Sequence, residues 1–127
     1  ENPVFYVQYA HARICSMLTL LESDGIKVPD VDTVNVCLLD KDEEIELLKR
    51  LAQYPEEIRL TAETLEPSRL TRYVLDVAAA FHSFYNACRV KGEEEEIMKA
   101  RLLLVESTKV VIRNVLELLS INAPEKM

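Results

Sequence analysis

At 127 residues, 49% hydrophobic and 29% charged, the chain is long enough to bury a core and too short for two domains, which argues against both disorder and a multidomain enzyme. Its two glycines, Gly25 and Gly92, are too few for the hairpin turns of a sheet protein, so helices are expected. The net charge of −7, taken as a sum, argues against a nucleic-acid binder, because phosphate contacts need Lys and Arg.

Asn2-Pro3 is a helix start, because Asn can cap free N–H groups and Pro gives up a donor that is unpaired at the first position. Val4, Val7, Ile14, Leu18 and Leu21 then recur at three- and four-residue steps, forming one apolar stripe that ends near Gly25. Residues 26–41, with Pro29 and several turn formers, read as an irregular connection with some buried side chains. Asp40 or Asp42 is placed to cap a second helix running to about Gln53, with Ile45, Leu47, Leu48 and Leu51 inward. Pro55 opens a third, with Ile58, Leu60, Ala62 and Leu65 inward. Pro67 and Ser68 open a long fourth, whose Leu70, Val74, Val77, Phe81, Phe84 and Cys88 step along one side. A fifth helix, from about Glu95 to Leu119, is apolar over most of its circumference and leaves Lys99, Glu106, Lys109, Arg113 and Glu117 as a polar stripe. An irregular tail runs from Ser120 to Met127. The expected fold is therefore all-α, a bundle of about five helices forming a single domain over residues 1–127.

Cys15, Cys37 and Cys88 are odd in number and form no C-x-x-C pair, which reads as reduced core thiols in the cytosol. With only His11 and His82, and no H-x-x-x-H or E-x-x-H spacing, no metal site is expected. No apolar run reaches the roughly 18 residues of a membrane span, and no signal segment opens the chain. There is no P-loop, dinucleotide turn, nucleophile elbow or Cys-His pair, so no catalytic residue is assigned. Because the chain starts at Glu1, a piece of something longer is expected.

Charge is unevenly spread. Residues 20–66 hold 13 acids and 5 bases, whereas 67–92 hold four bases against Asp76 and 97–116 hold four against Glu106. An acidic helical pair opposite two basic long helices would favour one docking orientation toward RNA. Tyr6, Tyr9 and Arg13 share a face of the first helix away from its apolar stripe. They form either a platform for unstacked bases, each stack contributing roughly 1–3 kcal/mol, or a boundary that packs on another helix or partner. His11 falls on the apolar side and reads as a hydrogen-bonded core histidine. His82, Asn86 and Arg89 lie in a row on the fourth helix, with Tyr85 between that row and the core; RNA contact and helix packing are both open to them.

The blocks NPVFYVQYAHARICSML (residues 2–18) and RLTRYVLDVAAAFHSFYNACRV (residues 69–90), with the ending APEKM, closely resemble the C-terminal anticodon-binding domain of arginyl-tRNA synthetases, often called the DALR domain. The resemblance is weak only through residues 26–64. It implies a helical bundle appended to a class I synthetase. The HIGH-like and KMSK-like signatures of the catalytic domain are absent, so this chain by itself should bind tRNA without aminoacylating it. The parent enzyme would use ATP with magnesium, and this domain no cofactor. The implied partners are the anticodon loop of arginine tRNA and the catalytic domain of the same chain, in the cytoplasm, with neither DNA nor membrane involved. All arginine codons have G in the middle, so the cognate anticodons have C there; a selective pocket needs an acceptor for the cytosine amine, donors for its other edge atoms, and a ring to stack on. Carried over by resemblance, Tyr6 and Arg13, Tyr85 and the terminal Met127 surround the anticodon loop, with Tyr9 as an addition; the helix-face pattern, not the resemblance, adds His82 and Arg89 as candidate RNA contacts. Ser120 stands where glycine commonly ends the last helix of the bacterial members. The related domain of a glycyl-tRNA synthetase β chain and an acidic protein-interaction module are the alternatives.

Overall fold

The computed structural model describes residues 2–127 and contains five α-helices. α1 spans Pro3–Ser23, α2 Asp42–Ala52, α3 Tyr54–Thr64, α4 Pro67–Ala87 and α5 Glu95–Leu118. The described residues include no β-strand. The side chain of Asn2 caps α1, its Oδ1 accepting from Val4 N–H at 3.0 Å. At the other end Gly25, at φ +81°, lets the chain turn back so that Ile26 N–H reaches Leu21 O at 2.9 Å.

The fourth helix is central, as its pattern predicts: α4 packs against all four others. Leu70, Val74, Val77, Phe81, Phe84 and Cys88 are all buried, in one core with Val7, Ile14 and Leu21 of α1 and Leu104, Ile112 and Val115 of α5. Tyr73 turns inward and donates to Arg50 O at 2.6 Å, tying α4 to the last turn of α2. Burial drives its phenol pKa well above the usual value, so it remains a donor. Residues 26–41 are irregular apart from two short 3₁₀ turns at Val31–Thr33 and Val36–Leu38, and Leu39 is buried.

The short helices depart from expectation in detail. The cap position of α2 is Lys41, not Asp40 or Asp42, and the cap runs backward: Glu44 Oε1 accepts from Lys41 N–H at 3.0 Å. Glu44 is fully buried, its Oε2 receiving Arg101 Nε at 2.6 Å. Turning α2 to seat Glu44 carries Ile45, one residue farther round the helix, to the surface. On α3, Ile58 and Leu60 are half-buried but Ala62 and Leu65 are exposed, Leu65 being the left-handed residue (φ 57°) that ends the helix. Cys37 is likewise exposed on its 3₁₀ turn rather than in the core, while Cys15 is half-buried and Cys88 buried.

Basic residues of α4 and α5 and the segments that flank them are mostly paired. Arg69 meets Glu57 at 2.8 Å, Lys91 meets Asp24 at 2.6 Å, and Arg101 is buried against Glu44. Arg89, Lys99 and Lys109 face Glu93, Glu96 and Glu106. Of the eight bases counted in those segments, Arg72 and Arg113 alone have no ion pair with a described residue. The polarity seen along the sequence is thus largely offset in space: Glu57 of α3 and Glu44 of α2 fold back onto α4 and α5, Asp24 meets Lys91, and Glu93, Glu96 and Glu106 neutralise bases three or four residues away.

Candidate RNA interface

The first half of α1 lies beside the second half of α4, and the side chains between them interlock. The Tyr6 ring sits 5.0 Å from the His82 ring, centroid to centroid, at 51°. Arg13 places Nη1 3.2 Å from His82 Nδ1 and its guanidinium carbon 4.4 Å from the centre of the Tyr85 ring. A guanidinium only donates, so His82 Nδ1 is the acceptor and a neutral ring carries its proton on Nε2. Burial first, and then the positive charge of Arg13, holds the His82 pKa below its usual value. Tyr6, Arg13, His82 and Tyr85 therefore form one continuous ring-and-guanidinium surface, with both tyrosines about 40% exposed: 42% for Tyr6 and 40% for Tyr85.

That surface leads into a recess of about 590 Å³ lined by Asn2, Pro3, Phe5, Tyr6, Tyr9 and Met127. Three of its six lining residues, Phe5, Tyr6 and Tyr9, are aromatic, and Met127 forms one edge. The volume holds a nucleobase with room for its sugar. On the other side of Tyr85 a second recess of about 450 Å³ is bordered by Leu20, Asn86, Arg89 and Lys91. Arg89 is exposed at its rim and faces Glu93 at 3.6 Å. The structure thus brings Tyr6, Tyr9, Arg13, His82, Tyr85 and Met127 together around one rim and leaves Arg89 one recess away.

The tail reaches this place along α1. Ser120 adopts φ 59°, the left-handed conformation that glycine takes most easily, and Ile121 N–H closes the turn on Leu116 O at 2.8 Å. The chain leaves α5 along the path a glycine would give, with a serine bearing roughly 1–2 kcal/mol of local strain. Gln8 Nε2 then donates to Asn122 O at 2.8 Å, and His11 Nδ1 to Pro124 O at 2.8 Å. His11 is the buried, hydrogen-bonded histidine its place on the apolar stripe implies, but its partner is the tail rather than another helix. Sequence reasoning missed Phe5, which is 55% exposed in the recess, and Gln8. Phe5 was legible as a third aromatic beside Tyr6 and Tyr9 off the apolar stripe; the Gln8 contact, across 114 residues, left no local signal.

Burial pushes the thiols of Cys15 and Cys88 up, away from thiolate chemistry.

The model of the DALR anticodon-binding domain matches residues 7–127. The chain belongs to that family. Its sequence is 72% identical to an arginine–tRNA ligase of Acetivibrio thermocellus and 70% identical to one of Ruminiclostridium cellulolyticum, in each case over the whole of this chain and 22% of the relative. The DALR fold is shared with the solved arginyl-tRNA synthetase of Thermus thermophilus, with a TM-score of 0.76 and 34% identity over 96% of this chain and 21% of that one. The chain therefore spans about a fifth of the length of the relatives it matches. Among the described residues no helix is long and apolar enough to cross a membrane.

Proposed function

We propose that this DALR chain is the anticodon-reading domain of a longer arginine–tRNA ligase and that it receives the middle anticodon base, cytosine, in the recess between Tyr6, Tyr9 and Met127. The observation that supports this reading is the convergence of rings from α1 and α4, the Arg13 guanidinium and the end of the chain on one rim, from positions spread over the whole sequence. Tyr6 or Tyr85 stacks on an everted base, Arg13 holds a phosphate or a base edge, and backbone groups at Met127 meet the cytosine edge. A backbone carbonyl oxygen accepts from the exocyclic amine of cytosine and repels the O4 of uracil, which gives a physical basis for choosing C. His82 orients Arg13, and Arg89 follows the adjoining backbone. Activation of arginine with ATP and magnesium belongs in this reading to the remainder of the ligase, in the cytoplasm.

Binding to an arginine-tRNA anticodon stem-loop, compared with the same stem-loop carrying U in the middle, tests the reading. A preference of roughly 1–3 kcal/mol for C is expected, and Tyr85→Ala should weaken both RNAs by a similar amount through lost stacking, again about 1–3 kcal/mol. Equal affinity for C and U removes the base-edge account, and an unaltered affinity on Tyr85→Ala removes that ring from it.

A further inference from the structure

Resting on the reading above, we propose that His11 is a positioning residue for cytosine selection: it latches the tail to α1 so that the backbone at Met127 is presented at the recess. The tail has no secondary structure after Ser120, and its hold on the helices is specific. Ile121 and Ala123 lean on the core, Gln8 takes the carbonyl of Asn122, and His11 takes that of Pro124. Gln8 and His11 stand one turn apart on the same helix and grip carbonyls two residues apart. The Pro124 oxygen can only accept, so the His11 proton sits on Nδ1, which Cys15 Sγ also approaches at 3.7 Å; Nε2 is buried with no partner among the described residues, and the 2.8 Å bond to the tail is the closest polar contact of this 2%-exposed ring. After a bend at Glu125, Lys126 borders a recess beside Cys15 and Thr19 while Met127 reaches the opposite way, toward Tyr6 and Tyr9.

The consequence is geometric. Met127 lies three residues past the latched carbonyl, and at roughly 3.3–3.6 Å per residue it explores a sphere of about 10 Å radius. If the last firm hold were at Asn122, it would lie five residues past the hold and the radius would be about 17 Å. The volume, and with it the dilution of the Met127 backbone at the base edge, grows about fivefold.

The test uses this chain with His11→Leu and His11→Asn, the second placing an amide nitrogen near the position of Nδ1. For each, the ratio of affinities for the C and U stem-loops is measured, together with backbone ¹⁵N relaxation of Lys126 and Met127 and thermal unfolding. His11→Leu should cut the C-over-U ratio about fivefold, mainly by weakening the C complex, and should speed the motion of the last two residues; His11→Asn should restore much of both. Should His11→Leu fail to fold, His11→Phe, which keeps a ring of similar shape in the core without the donor, carries the test with the same expected change. A ratio that stays at the wild-type value in a folded variant overturns the latch and leaves the proposed function standing. Equal loss for C and U, unrescued by Asn, reduces His11 to a packing residue and also overturns it. A wild-type chain with no preference between C and U overturns both readings, and the wild-type ratio alone distinguishes this case from the others.

Discussion

Replacing Arg101 with leucine should unsettle the fold far more than a surface charge would. Glu44 is fully buried, its Oε2 is 2.6 Å from Arg101 Nε, and the same arginine donates to Arg89 O at 2.5 Å, holding the segment that leaves α4 for α5. Arg101→Leu leaves a carboxylate without its counter-charge in the interior, at a cost of about 3–5 kcal/mol. Across 127 residues at roughly 2.1 cal/mol/K each, 1 kcal/mol shifts the melting temperature by about 4 °C, so a fall of about 10–20 °C is expected. Glu44→Leu should also be costly, since the buried guanidinium then keeps only Glu93, at 3.7 Å, as a counter-charge. The double variant, which strands neither charge of the pair but loses the backward cap on Lys41 and the donation to Arg89 O, should lie within about 2–3 kcal/mol of the wild type. A double-mutant cycle by urea unfolding at neutral pH reads the coupling directly, and at least about 3 kcal/mol is expected. Coupling below about 0.5 kcal/mol would show that the two charges do not depend on one another, and the argument that Glu44 sets the rotation of α2 would fall with it.

Two further outcomes follow from the rim. Arg13→Gln should reduce RNA affinity; if Arg13 meets a phosphate, the slope of log K against log salt becomes shallower by about 0.7, whereas an unaltered slope with weaker binding places it on a base edge, and no change in either removes it from the interface. His82 has a native pKa held below its unfolded value of 6.5, by burial and then by Arg13, so the unfolded chain takes up the proton first as the pH falls. The stability contributed by neutral His82 is therefore complete above about pH 6.5 and declines as the pH drops toward the lower native value. Unfolding at pH 7.5 and pH 5.5 should show a smaller difference for His82→Gln, which retains an acceptor for Arg13, than for the wild type; equal differences would exclude His82 as a source of the acid sensitivity.

The long helices were readable because their burial is periodic: the α4 face from Leu70 to Cys88 and the start at Asn2-Pro3 depend on local spacing and on capping chemistry carried by adjacent residues. Ile45, Ala62 and Leu65 were misplaced because a short helix has few turns over which to average, and a single tertiary demand, seating Glu44 on Arg101, can rotate it. The segmental charge polarity was real in sequence and mostly spent in space, since pairs such as Glu57–Arg69 join residues the sequence keeps apart. At the rim, the tyrosines and Arg13 were visible as residues the core could not claim. Their meeting with Met127 was implied only by the family resemblance, since contacts across more than 110 residues, such as His11 to Pro124, leave no periodic trace.

Mapping the RNA onto the chain tests the central claim most directly. On titration of the isotopically labelled chain with the cytosine-bearing anticodon stem-loop, the largest shifts in the ¹H–¹⁵N and aromatic ¹H–¹³C spectra should fall on Tyr6, Tyr9, Arg13, Tyr85 and Met127, with signals of α3 nearly still. Shifts centred on α2 and α3, with the Tyr6 and Met127 signals unmoved, would contradict the account.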